Sequence, residues 1–182
     1  MVTENDKSFY RMESKVYRRN GGENESMAFG FNGIAHSTST LNANIIRLLS
    51  NLGYASQSHW TKYLGGTPLS DSLLGIKYVI TKDDLLDEHF YELAYYGAEG
   101  YRYVSSASSI YAMKNTKVLP IAYGVSEYTS DLLNEMATPY YPNGSEAQNE
   151  IIKALLYGTD YSGKEVYKPI YAYPALEDCT MG

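Results

Sequence analysis

The chain has 182 residues, a length typical of one domain with a substantial hydrophobic core. Its formal net charge of −6 excludes the basic surface that neutralises nucleic-acid phosphates, so no nucleic-acid partner is expected. Tyrosine supplies an unusual share of the hydrophobic residues, with 20 Tyr against 4 Phe and 1 Trp. Because tyrosine combines an apolar ring with a hydroxyl that seeks a polar partner, this composition favours half-buried strands or a sugar-facing surface.

The first third of the chain predicts a strand followed by a helix. In an extended segment from Phe9 to Tyr17, one side is more apolar than the other, which indicates a strand. Arg18 and Arg19 follow, and they either contact a phosphate through bidentate hydrogen bonds or are solvated charges at the strand end. Thr40 is the predicted N-cap of a helix over Leu41 to Leu52, where apolar residues recur at helical spacing.

A polar loop predicted over Ser56 to Ser70 holds the best candidates for ligand contact. His59, Trp60 and Tyr63 lie close together in it. Their aromatic rings either stack on a sugar or pack beneath the loop as a small satellite core. The loop is therefore a predicted glycan contact, with core packing as the alternative.

The remainder of the chain predicts a mixed sheet. The run Ile76 to Thr81 indicates a buried strand that forms a parallel βαβ unit with the first strand and the helix between them. Further predicted elements are strands over Tyr91 to Tyr96, Ser109 to Lys114 and Leu119 to Val125, and a helix over Glu146 to Tyr157.

We therefore expect an α/β (mixed α+β) fold, with a single mixed sheet and helices packed on it. This domain is predicted to span residues 1–163. Residues 164–182 are predicted to be a linker or the truncated start of a further β-rich unit.

The sequence predicts no catalytic residue, no metal site and no cofactor. The histidines lack the paired spacing of a zinc site. The sequence also lacks a serine-hydrolase elbow, a phosphate loop and a dinucleotide fingerprint. A functional hypothesis must therefore come mainly from resemblance to other proteins.

Five segments, taken in order and at their spacing, resemble the YfhO family of bacterial membrane proteins. They are FYRMES (Phe9 to Ser14), FNGIAHSTSTLNANIIRLLSNLGY (Phe31 to Tyr54), DSLLGIKYVIT (Asp71 to Thr81), SIYAMKN (Ser109 to Asn115) and LPIAYGVS (Leu119 to Ser126). The resemblance runs from about Phe9 to Tyr157, and its most distinctive piece is the run Leu73 to Tyr78.

This resemblance implies a soluble extracytoplasmic portion of a large polytopic membrane glycosyltransferase. The implied activity is glycosylation of cell-envelope polymers such as teichoic acids, with a sugar carried on a polyprenyl phosphate. The family's acidic catalytic residue lies near its first membrane spans, so no catalytic residue is carried over and this portion is expected to be non-catalytic by itself. The implied partners are the membrane portion of the same protein and an envelope glycan polymer.

The start MVTENDKSFY lacks the apolar region of a signal peptide. The resemblance therefore implies that upstream spans of a longer protein deliver this portion to the extracytoplasmic face of the cell membrane. Two alternatives remain. The chain could be a free-standing carbohydrate-binding module in which Trp60 and Tyr63 stack on sugars, or a small cytosolic enzyme that uses His36 or His59 as a general base.

Overall fold

A computed structural model describes residues 2–16, 23–82, 86, 88–97, 110–136 and 144–157. Arg18, Arg19 and residues 164–182 lie outside the described residues. In chain order the elements are α1 (Val2–Asn5), β1 (Arg11–Ser14), α2 (Glu25–Phe29), β2 (His36–Ser37), α3 (Ala43–Asn51), β3 (Ser56–Gln57), β4 (Trp60–Thr61), α4 (Pro68–Leu73), β5 (Ile76–Thr81), β6 (Tyr91–Gly97), β7 (Ile110–Asn115), α5 (Glu127–Met136) and α6 (Gly144–Tyr157).

The main sheet has four strands in the order β1-β5-β7-β6. Strand β1 runs parallel to β5, whereas β7 is antiparallel to both β5 and β6. This arrangement confirms the mixed α+β fold and the parallel pairing of the first strand with Ile76–Thr81. A second, small antiparallel sheet in the order β2-β4-β3 was not predicted, because its strands have only two residues each.

Helices cover one face of the main sheet and build the larger core. Helices α3, α5 and α6 contact one another. Their buried residues pack with Ile76 and Val79 of β5, which have no exposed surface. Tyr78, the neighbour of Val79 on β5, belongs to a smaller cluster with Val2 and Met12 on the other face. Ile76 lies before a register irregularity in the pairing of β5 with β1. The alternation of strand side chains thus divides β5 between two cores.

Helix α3 begins later than predicted, because Asn42 rather than Thr40 is the N-cap. The Asn42 side-chain oxygen accepts hydrogen bonds from the backbone N–H of Asn44 at 2.9 Å and of Ile45 at 3.3 Å. Thr40 instead takes part in the preceding turn, where its backbone N–H and C=O both bond to the Thr38 hydroxyl. Both residues are typical N-caps, so residue type alone did not distinguish them.

The strand predicted over Leu119 to Val125 is wrong. Helix α4 anchors this segment instead: the Leu119 N–H donates to the Ser72 carbonyl at 3.0 Å, and the Tyr123 hydroxyl donates to the Leu73 carbonyl at 3.3 Å. Pro120 has no N–H to offer a neighbouring strand. The apolar alternation here therefore serves packing beside α4 rather than a sheet.

Candidate functional site

The three residues predicted to contact a glycan lie in three different environments. His59 is exposed, and its Nδ1 lies 2.8 Å from the Ser58 hydroxyl. Trp60 is half-buried, and the Lys62 ammonium lies 4.9 Å from its ring centroid, in a cation–π arrangement. Tyr63 is only 7 % exposed and belongs to the main core, so its ring offers almost no surface for a sugar to stack on. Glycan contact by His59 and Trp60 stays a prediction.

The Tyr63 hydroxyl is part of a buried cluster around Asp71, which we call the tyrosine–aspartate cluster (Asp71, Tyr54, Tyr63 and Tyr91). Tyr54 donates to one carboxylate oxygen of Asp71 at 2.6 Å. Tyr63 and Tyr91 donate to the other at 2.6 and 2.5 Å. Asp71 is 2 % exposed, so three charge-assisted hydrogen bonds compensate its removal from water.

Further polar bonds join this cluster to two other helices. The Ser70 hydroxyl lies 3.0 Å from the Tyr54 hydroxyl, and Ser70 forms a capping box with Thr67 at the start of α4. The Thr67 hydroxyl donates to the Gln148 side chain on α6. Gln148 in turn donates to the Leu52 carbonyl at the end of α3, at 3.0 Å. The network therefore fixes α3, α4 and α6 relative to one another.

Burial controls the protonation of the tyrosine–aspartate cluster. Desolvation raises the pKa of Asp71, and the three tyrosine hydrogen bonds oppose that rise. Desolvation, followed by the neighbouring Asp71 charge, raises the pKa of Tyr54 and of Tyr63 well above the usual value. Both hydroxyls thus stay protonated and continue to donate. This chemistry suits a structural anchor better than a proton-transfer site.

Glu13 on β1 is the second buried carboxylate, with 3 % exposure. It accepts hydrogen bonds from the backbone N–H groups of Ile34 and Ala35, the latter at 3.2 Å. Desolvation raises the pKa of Glu13 to about 7, although both backbone bonds act to lower it. A Cβ atom on Gly33 would lie 2.7 Å from the Glu13 carboxylate, so a larger residue there would displace the Glu13 side chain. Glu13 therefore holds the loop before β2 against the main sheet.

A cleft of about 280 Å³ opens on the outer side of that loop. It combines polar groups with large apolar side chains. The polar residues are Arg11, Ser26, Asn32 and His36, and the apolar ones include Phe9, Met27, Phe31 and Ile121.

The polar groups of the cleft are partly engaged. Arg11 Nη1 donates to the Leu74 carbonyl at 2.5 Å, and Asn32 Nδ2 donates to the Tyr10 carbonyl at 3.2 Å. His36 Nε2 lies 3.1 Å from the Gly33 carbonyl and must carry the hydrogen, because a carbonyl oxygen only accepts. Among the described residues, no group bonds to the buried hydroxyl of Ser26. The sequence did not point to this cleft, because its walls come from three separate segments.

The family model described as "Bacterial membrane protein YfhO" matches residues 1–175 of the 182. The chain belongs to the YfhO family. This membership confirms the resemblance found in the sequence. No curated protein and no solved structure matches the chain significantly.

The segments that carried the YfhO resemblance also build the two sites. FYRMES supplies Phe9 and Arg11 of the cleft together with the buried Glu13, and DSLLGIKYVIT begins with Asp71. Within the described ranges of this YfhO chain, no helix is both long enough and apolar enough to cross a membrane.

Proposed function

We propose that this chain is an extracytoplasmic portion of a YfhO-family membrane glycosyltransferase that acts in the glycosylation of cell-envelope polymers such as teichoic acids. The observation that carries the proposal is the family match across residues 1–175. The portion is non-catalytic by itself, and the membrane portion of the same protein performs the transfer.

The interior chemistry supports a positioning role. Asp71 and Glu13, the buried carboxylates of the described residues, are both held by hydrogen bonds from inside the fold. The network around Asp71 also links three helices into one unit. A unit of this kind would hold the acceptor polymer in place beside the membrane portion.

Site-specific thiol labelling tests the location. The sequence has one cysteine, Cys179. In the full-length protein, freed of cysteines and carrying Cys179→Ser, we would add Ser130→Cys on the exposed side of α5. A membrane-impermeant maleimide should label this thiol in intact cells. The matched control is Ala154→Cys, at a position that is 2 % exposed, which should react only after denaturation. Labelling of Ser130→Cys only after cell lysis would contradict the proposed location.

Genetic complementation tests the activity. A strain that lacks the full gene should have cell-wall teichoic acid with a reduced ratio of sugar to phosphate. The full gene should restore that ratio, whereas a gene without the present segment should restore it poorly. The isolated chain should transfer no sugar from a polyprenyl-phosphate donor. An unchanged sugar-to-phosphate ratio in the deletion strain would sink the proposed function.

The half-buried Trp60 beside the exposed His59 favours a second candidate, a carbohydrate-binding module. Because Trp60 is the single tryptophan of the chain, its fluorescence reports directly on a ligand at this position. Titration with envelope glycans should then shift the emission, and Trp60→Ala should abolish binding. An unchanged emission with bound glycan would place the sugar elsewhere on the chain.

A further inference from the structure

We propose that the cleft lined by Phe9, Arg11, Ser26 and His36 binds a small monocarboxylic acid that carries an apolar group. The Arg11 guanidinium holds the carboxylate, and the apolar group lies against the exposed side chains of the rim. The proposal is independent of the glycosyltransferase role.

Arg11 is prepared to bind an anion. Its Nη1 donates to the Leu74 carbonyl, and no carboxylate pairs with it within the described part of the chain. A guanidinium has five N–H donors in a planar fork, so a single bond to Leu74 orients the group and leaves donors available. A planar carboxylate matches that fork in bidentate fashion.

Ser26 is the second polar group of the cleft, after Arg11, that points to a ligand. Its side chain is 4 % exposed, lines the cleft, and has a hydroxyl with no bonding partner among the described residues. A buried hydroxyl without a partner costs stability, and such groups in folded proteins call for a specific reason. The hydroxyl oxygen itself has almost no accessible surface, so a rotation of the Ser26 side chain toward the cleft would bring it to a ligand oxygen.

The rim of the cleft exposes two large apolar side chains. Phe9 is 73 % exposed and Met27 is 69 % exposed, and both line the same cleft as the half-buried Phe31. Concave sites with apolar walls and a few converging polar groups are typical of small-molecule binding. The ligand must therefore combine an apolar group with its charge.

The surrounding charges favour a single negative charge on the ligand. The Glu13 carboxylate lies directly behind Gly33, within 2.7 Å of where a Cβ would be. Glu25 immediately precedes Ser26 in α2. The Arg11 guanidinium can compensate one negative charge, whereas the second charge of a dianionic phosphate monoester would have no cation and would be repelled by these carboxylates. The volume of about 280 Å³ also restricts the ligand to a small molecule.

The first test titrates hexanoate into the purified chain, with NMR of the Met27 methyl group as the readout. Hexan-1-ol and hexylammonium are controls that have the same alkyl chain without a negative charge. Hexyl phosphate is a control that carries two negative charges. We expect hexanoate to bind about tenfold more tightly than hexan-1-ol, the ratio that one charge-assisted hydrogen bond can supply. Equal affinities for these two compounds, or tighter binding of hexyl phosphate, would overturn the proposal.

Variants of the cleft separate binding from folding. Arg11→Gln should weaken hexanoate binding about tenfold and leave hexan-1-ol unchanged. Arg47→Gln, an exposed position on α3 outside the cleft, is the matched control and should bind normally. If Arg11→Gln fails to fold, Arg11→Lys retains the charge and should keep part of the preference for hexanoate over hexan-1-ol.

Ser26→Ala gives a result that a purely structural hydroxyl would not. Because the hydroxyl has no partner among the residues that the structure describes, its removal should leave the thermal midpoint unchanged or raise it. The same variant should bind hexanoate several-fold more weakly. Loss of thermal stability with unchanged hexanoate affinity would show that Ser26 has a structural partner and would overturn its assignment to the ligand.

Discussion

Replacing Tyr54 with phenylalanine should destabilise the fold by about 2 kcal/mol. The change removes one hydroxyl from the tyrosine–aspartate cluster and keeps the ring, which is 2 % exposed. The lost bond, 2.6 Å long, goes to a buried carboxylate, and hydrogen bonds to charged groups contribute about 1.5–3 kcal/mol. Ser70 retains the Thr67 carbonyl as an acceptor at 2.9 Å, so the group that loses its partner is the Asp71 carboxylate oxygen to which Tyr54 donates.

The destabilisation by Tyr54→Phe should also depend on pH. The Tyr54 bond lowers the pKa of Asp71, so its loss raises that pKa further above the ordinary 3.8. A carboxyl group with a raised native pKa retains a proton that the unfolded chain has already lost. The free energy of unfolding therefore falls as pH rises between the unfolded and native values. Tyr54→Phe widens this interval, so its cost should be larger at pH 7 than at pH 4.

Urea unfolding followed by circular dichroism measures this cost, and an unchanged m-value would show that the unfolded state is unaffected. Tyr123→Phe is the matched control. The Tyr123 hydroxyl lies 3.3 Å from the neutral backbone carbonyl of Leu73, and Tyr123 is 37 % exposed. This substitution should therefore cost less than about 0.5 kcal/mol. Equal costs for the two variants would refute the argument that Asp71 is held as a buried anion.

Four other substitutions, one of them a control, test the packing and electrostatics. Glu13→Gln should flatten the pH dependence of stability. Because folding raises the pKa of Glu13 from 4.5 to about 7, the free energy of unfolding of the wild type should fall by about 3 kcal/mol as pH rises across that interval. Urea unfolding of both proteins at several pH values measures this fall, and an equal pH dependence in wild type and variant would contradict it. Gly66→Ala would place a Cβ 2.0 Å from the Tyr54 ring and should cost about 1–3 kcal/mol in thermal unfolding. Gly124→Ala, which meets no atom within 4 Å, should change stability by less than about 0.5 kcal/mol. Asn42→Ala should cost about 1 kcal/mol through loss of the α3 cap, and an unchanged urea midpoint would disprove that role.

Local pattern was enough to predict strand β5 and helices α3 and α6. The continuous apolar run of β5 reflects burial on both faces of the strand, and the helical spacing in α3 and α6 reflects one buried face. Helix α5 was missed because its apolar residues are sparse. A signal was nevertheless present: the Thr129 N–H donates to the Ser126 hydroxyl at 3.1 Å, which is the hydrogen bond of a serine N-cap.

The sites could not be predicted in the same way, because they join residues that are distant along the chain. Tyr54 and Tyr91 meet at Asp71 only after the crossover from β1 to β5 and the antiparallel strands are in place. Tyr63 shows the difficulty plainly. Its sequence neighbourhood predicted a polar loop in which Tyr63 either contacts a sugar or packs in a small satellite core, whereas its hydroxyl donates to a carboxylate inside the main core.

The excess of tyrosine over phenylalanine has a physical explanation in these contacts. On one face of the sheet, three tyrosines surround Asp71; on the other, Tyr78 donates to Asp6 at 2.9 Å. Phenylalanine would fill the same space but would remove the three hydroxyl donors of the Asp71 carboxylate. A lysine in place of one of these tyrosines would bring a second charge out of water beside Asp71. The desolvation of that charge costs about as much free energy as the ion pair returns. Tyrosine is neutral and still donates, so this acidic chain can hold a carboxylate in its core without a buried cation.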